Sequence, residues 1–227
     1  MPVFSHSPSA PKAVVVEGDT YLKTDWMDSG DDPALSPTVF LVEQSPNVSL
    51  RTHFHRNNQF QLFVRGGGSL GPHKIGALTV HYAGAYSGYG PLVADERGIA
   101  YFTLRSVFET GSLTMAQHAD QMKRGPKRQL HSQPVHVTDN EKLATLATPH
   151  VKDLIPFEAD CVGARLYTLP PAARQTGTVL SGSAGQFYVV VAGSLHVDDQ
   201  VVQTWGIVFV GSEEKRLEFK AARRPKP

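Results

Sequence analysis

Short apolar runs rich in Val, Phe, Tyr and Leu recur between glycines and prolines: AVVVEG, TVFLVEQ, FQLFVRG, ALTVHYAG, IAYFTLRSVF, ARLYTLPP, QFYVVVAGSLHV, IVFVG and RLEFKA. β-Branched and aromatic residues suit a pleated, half-buried surface. Many short strands with frequent turn signals predict an all-β sandwich or barrel. Helical periodicity is scarce. TDNEKLATLA is the best helix candidate, with Thr138 or Asp139 as cap and Leu143 and Leu146 on one face. Residues 111–150 are polar and carry His118, His131, His136 and His150 without a strong strand. They read as a long connection whose histidines lie on the surface.

An internal repeat divides the chain. QFQLFVRG (Gln59 to Gly66) and QFYVVVAG (Gln186 to Gly193) share Gln-Phe, an apolar stretch and Val-x-Gly at identical spacing. Each is followed by strand-turn-strand text, with DDQ as the turn in the second copy. Two copies of one β unit account for this. The 227 residues suffice for one large β domain or two of about 100 residues each.

The richest chemistry lies in LRTHFHRNNQFQLFVRGGG, Leu50 to Gly68. Residues i and i+2 of a strand share a face, so His53 and His55 project together with Ser49 and Arg51. Val48, Leu50 and Phe54 take the other side. In the following strand Gln59, Gln61, Phe63 and Arg65 face inward, and Phe60, Leu62 and Val64 face outward. Two imidazoles on one strand and an oxygen from the next form a workable facial set for a divalent transition metal. Gln59 is the candidate oxygen and His81 the candidate third imidazole. In HYAGAYSGYGP, Tyr86 is the candidate acid or base. Arg65 is a second candidate catalytic residue, and Arg51, Gln61, Phe63 and Ser87 line the expected substrate pocket. GGGSLG lacks the following helix and Lys-Ser/Thr of a phosphate loop and reads as a wide turn.

Charge excludes some partners. The 22 Lys and Arg against 21 Asp and Glu give no electrostatic reason to expect nucleic acid or an anionic membrane. KRGPKR and the tail RRPKP read as solvated loops. Cys161 cannot form an internal disulfide, which points to a reducing, cytoplasmic setting. No apolar run approaches the roughly 20 residues of a membrane helix.

These residues resemble the cupin superfamily. Its first motif runs Gly, five residues, His-x-His, three or four residues, Glu, six residues, Gly. Here Asn47, His53-x-His55, Gln59 and Gly66 stand at that spacing. In the second motif Gly76 and Gly84 fit, while Tyr82, Ser87 and Pro91 replace the proline, histidine and asparagine. His81, or more remotely His73, would then stand in for the missing metal histidine. The second copy has Leu180 and Gly182 at the histidine positions. The resemblance implies two tandem barrels of double-stranded β-helix type. Residues 1–35 would be strands covering a barrel, 36–110 the first barrel, 111–159 the connection, 160–222 a second barrel without metal ligands, and 223–227 a tail. It further implies one Fe, Zn, Ni or Mn ion per chain, in the first barrel.

Two functions follow. One is a metal-dependent enzyme of dioxygenase, isomerase or lyase type acting on a small organic molecule, an anionic one where Arg51 or Arg65 assists. The other is a non-catalytic small-molecule sensor or carrier. The second barrel is expected to be structural, and an outer β face would pair two copies into a homodimer.

Overall fold

The computed structural model describes residues 2–5, 10–16, 18–27, 37–109, 111–178 and 182–222. The expected tail (223–227) and Leu180 lie outside them. The chain divides into two compact units, a larger one of His6–His136 and a smaller one of Met1–Ser5 with Val137–Pro227.

Strand β1 (Val3–Phe4) belongs to the smaller unit. The larger unit then contains β2 (Lys12–Val16), β3 (Asp19–Met27), β4 (Thr38–Gln44), β5 (Ser49–Leu50), β6 (His53–Phe54) and β7 (Gln59–Leu70). These are followed by β8 (His73–Gly76), β9 (Val80–Ala83), β10 (Leu92–Arg105), β11 (Leu113–Thr114), helix α1 (Met115–His118) and β12 (Gln129–His131). The main sheet runs β12-β9-β7-β10-β4-β3-β2, with β5 paired to β10 and β8 to β7. β10 pairs antiparallel with both β4 and β7, so both its edges are bonded, and from Gly98 to Arg105 residues on both its faces are buried. The core gathers Val42, Leu50, Phe63, Leu70, Ile75, Leu92, Ile99 and Tyr101.

The smaller unit holds α2 (Asn140–Thr145) and β13 (His150–Ile155) through β14 (Ala164–Thr168), β15 (Arg174–Thr176), β16 (Gln186–Val189), β17 (Ser194–Val197), β18 (Gln200–Gln203), β19 (Ile207–Val210) and β20 (Glu218–Ala221). Its sheets run β1-β19-β16 and β15-β20-β17-β18, with β13-β14 apart. α2 is the helix expected over TDNEKLATLA. Asp139 caps it by accepting the Lys142 amide at 2.8 Å.

The boundaries differ from the expected ones. Residues before 36 supply β2 and β3 to the main sheet, and the segment expected as a bare connection supplies β11 and β12. β11 and β12 are only two and three residues long. Pairing partners, β6 and β9, form them rather than their own apolar alternation.

The repeat has a backbone counterpart. Gly66 and Gly193 both adopt φ +74°. A Cβ on Gly66 would run into the carbonyl of Gly98, whereas one on Gly193 meets nothing within 4 Å. Gly193→Ala should cost about 1–2 kcal/mol, the left-handed penalty alone. Gly66→Ala should cost about 3 kcal/mol or more. Denaturant unfolding of the two variants checks this, and equal losses would contradict the close approach.

Candidate functional site

Three backbone devices build the site. β6 pairs with β11 through Thr114 and His53. On its other side His53 exchanges two backbone hydrogen bonds with Tyr89, at 3.1 and 2.9 Å. That bridge sets the Tyr89 ring 4.5 Å from the His53 ring. On β10, Tyr101, Thr103 and Arg105 share one face by alternation, opposite Phe102 and Leu104. Arg105, 2 % exposed, ends that row beneath the histidines.

One chain of hydrogen bonds joins these groups, and chemistry fixes its direction. The Arg51 carbonyl only accepts, so His53 Nδ1–H donates to it (2.7 Å). The Nε2 of that neutral ring then accepts from the Tyr89 hydroxyl at 2.9 Å. Tyr89 in turn accepts from Gln59 Nε2 at 2.6 Å. A guanidinium only donates, so Gln59 Oε1 accepts from Arg105 Nε (3.0 Å) and Nη2 (2.8 Å). Arg105 Nη2 also lies 3.0 Å from His55 Nδ1.

Glu109 faces His55 Nδ1 at 3.4 Å. Its carboxylate also accepts the backbone amides of Arg56 (2.8 Å) and Asn57 (3.1 Å), in the turn after the histidines. Burial pushes the Glu109 carboxyl up, but His55, the Arg56 amide and Arg105 outweigh it and hold it low. Burial, then the neighbouring His55, pushes His53 down to about 3. Burial likewise lowers His55 and, with the nearby His131, His81.

Above this network lies a cavity of about 430 Å³. Its floor comes from one face of the main sheet: Tyr21 and Lys23 of β3, Phe40 and Val42 of β4, Gln61 of β7, and the β10 row. Leu50, Arg51, His53, His55, Tyr89, Glu109 and Thr114 line the rest.

The structure brings His53, His55 and Gln59 together and puts Arg51 and Gln61 on the cavity. The other expected positions need correction. Arg65 is exposed and ion-paired with Glu43. The β7–β10 register slips between Arg65/Ala100 and Phe63/Tyr101, and one extra residue reverses the alternation beyond Phe63. Phe63 is fully buried core and does not line the cavity. Tyr86 instead stacks under Lys123, with the ammonium 4.7 Å from its ring. Its neighbour Tyr89 delivers the hydroxyl. Buried Ser87 accepts the Arg128 amide at 3.0 Å and is structural. His81 sits in the core with Nδ1 on Gln61 Oε1 at 2.8 Å, and Tyr89 lies between it and His53. His131, expected at the surface, stacks between His73 (3.8 Å) and His81 (4.5 Å). Leu50 lines the cavity beside His53, because strand alternation breaks between β5 and β6.

No family model and no curated protein sequence matches the chain. Solved structures do. An Escherichia coli pirin in complex with nickel(II) is 10 % identical, with TM-score 0.58, over 98 % of this chain and 95 % of that one. A mutant of Bacillus subtilis oxalate decarboxylase is 9 % identical, with TM-score 0.60, over 98 % and 74 %. Lactobacillus farciminis oxalate decarboxylase, in a formate complex, is 10 % identical, with TM-score 0.57, over 96 % and 85 %. The chain has the cupin fold.

In this cupin fold the expected metal ligands do not fit a metal. His53 carries its proton on Nδ1 and gives its one lone pair to Tyr89. The Gln59 oxygen accepts twice from a guanidinium. A dication beside His55 would meet the Arg105 cation at hydrogen-bond range. Among the described residues no group of three or more His, Cys, Asp or Glu is placed to hold a metal ion. No described helix is long and apolar enough to cross a membrane.

Sequence reasoning passed over Tyr89, Arg105 and Glu109. The parity Tyr101-Thr103-Arg105 within IAYFTLR was the available signal.

The depressed histidines make this cupin-fold protein acid-sensitive. Below the unfolded value of about 6.5 the unfolded chain takes up protons that folded His53 refuses until about pH 3. Stability therefore falls as pH drops through that window, by up to about 1.4 kcal/mol per pH unit for each such group. Denaturant midpoints should decline from pH 6.5 to 5, above most carboxylate titrations. His53→Gln should flatten the slope, and an unchanged slope in that variant contradicts the assignment.

Proposed function

We propose that the larger unit is a small-molecule-binding module whose ligand occupies the 430 Å³ cavity, with Arg105 rather than a metal ion as its central positive charge. The observation that carries this reading is the Arg105 guanidinium held on Gln59 and His55, the two side chains that would otherwise complete a metal site. The volume suits a small organic molecule, as does a lining of aromatic and aliphatic groups with a few convergent polar ones. The smaller unit has a cavity of about 30 Å³, water-sized rather than ligand-sized, and its role is structural.

A metal-dependent dioxygenase, isomerase or lyase at the same cavity is the competing reading. Its support is the shared fold with a nickel(II)-bound pirin. It requires Arg105 and Tyr89 to leave their partners.

Metal analysis of the protein as isolated, followed by titration with Ni(II), Zn(II) and Mn(II), separates the two. The binding-module reading expects no stoichiometric metal and no site at micromolar concentration. It also expects some small organic molecules to raise the thermal midpoint, with a stabilisation of about 2.7 kcal/mol at a free concentration of about 100 Kd that grows with the logarithm of concentration. Thr103→Phe, which fills the cavity, should abolish that gain. One tightly held metal per chain, lost with His53→Ala, would overturn it.

A further inference from the structure

Among the described residues Arg105 is a buried cation without a counter-ion in contact. It is 2 % exposed, its hydrogen bonds go to the neutral Gln59 oxygen, and its Nη2 lies 3.4 Å from His55 Nε2. No ion pair joins it to any described residue. Its Nη1 has no hydrogen-bond partner among the described residues, yet Arg105 lines the cavity. A buried charge lacking a partner is costly, so the site is incomplete as it stands.

The carboxylates nearby cannot complete it. Asp19 is held by the Arg51 backbone amide at 2.8 Å and its guanidinium at 3.5 Å. Asp25 pairs with Lys23 at 2.7 Å. Glu109 is held by two backbone amides and by His55 Nδ1, and it makes no ion pair with the guanidinium. Lys23 and Arg105 lie over the same Phe40 ring, at 4.6 and 5.4 Å from its centroid, so the cavity floor presents two cations. The histidines add no charge near neutrality. Lys23 and Arg51 are paired with Asp25 and Asp19, which leaves Arg105 as the lining cation that no described carboxylate pairs, in a pocket whose walls include Val14, Val42, Leu50, Phe40 and Tyr101.

We propose that the cavity takes a small carboxylic acid with a flat apolar body, its carboxylate seated on Arg105 where the sequence suggests a metal ion. A planar carboxylate matches the open edge of a guanidinium, and charge-assisted pairs of this kind are the strong ones. The body packs against Phe40, Tyr101 and the aliphatic wall, excluding water from the pair. This inference rests on the cavity being the binding site and adds the chemical class of its occupant.

Matched acids and amides test it. Benzoate and cinnamate, with benzamide and cinnamamide as neutral counterparts of the same shape, are titrated calorimetrically in the presence of EDTA. The acids should bind at least about 30-fold more tightly than the amides, the scale expected for losing a buried charged partner. Arg105→Gln should remove the preference, and Arg105→Lys, which keeps charge but loses the fork, should retain part of it. Amides binding as tightly as acids would overturn the carboxylate assignment while leaving the cavity as a small-molecule site. Failure of all four probes to bind wild-type protein also overturns it. Stoichiometric metal binding at His53 would instead overturn the binding-module reading, whatever the acids do. The wild-type acid-to-amide ratio keeps the test valid if an Arg105 variant fails to fold.

Discussion

The larger unit depends on a hydrogen-bond chain whose two ends cannot be reversed. At one end is a guanidinium, which has no acceptor. At the other is the Arg51 peptide carbonyl, which has no donor. Gln59, Tyr89 and His53 lie between, and each is thereby forced into one orientation or tautomer. Burial makes this strict, because a reversed amide or misplaced proton leaves a buried polar group unsatisfied at about 1–3 kcal/mol. The backbone supports the same geometry. The two-way bridge between His53 and Tyr89 fixes their rings, and the β10 ladder fixes Arg105 opposite Thr38 of β4.

This constraint changes the chemistry the cavity can offer. A metal ion is exchangeable, redox-active for several elements and open to direct ligation. A guanidinium is tethered, redox-inert and charged across the physiological range, and it recognises planar anions by shape. Burial lowers the Arg105 pKa, with Glu109 foremost in opposing it. The positive charge is therefore a fixed part of the chain. Glu109 and His55 remain beside it as a titratable pair that lines the cavity.

Much of the fold was legible in sequence, and the reasons are local. Alternation in FQLFV correctly places Gln59 and Gln61 on the inner side, and Asp139 caps a helix where its spacing to the apolar residues requires one. Arg65 was misplaced because a bulge changes parity without changing composition. Tyr86 and Tyr89 are indistinguishable by type. The strand bridge to His53 selects Tyr89, and a pairing between residues 36 positions apart leaves no mark on either segment. Arg105 was hidden for a different reason. Both faces of β10 are covered, so its arginine follows apolar and aromatic residues and resembles a strand terminus facing solvent. The unit boundary shifted because β11 and β12 are strands only by virtue of their partners.

The segments QFQLFVRG and QFYVVVAG show how backbone features can be held while site residues change. Gly66 and Gly193 share the same positive φ, and each follows a Gln-Phe strand start. What they share is backbone: alternation and a residue free of the left-handed penalty. The residues before the shared Gln-Phe differ. The first copy has histidines at the cavity, and the second has Leu180 and Gly182 at the equivalent positions. Alternation tolerates almost any substitution that preserves inward and outward character, so the backbone can be kept while the site is rewritten. The same freedom operates within the first copy. His53, His55 and the closing glycine stand at the motif spacing, and one arginine from the end of a neighbouring strand donates to Gln59, where the resemblance implies a metal ligand. Motif spacing therefore reports the scaffold, and the side chains that complete its hydrogen bonds decide the chemistry.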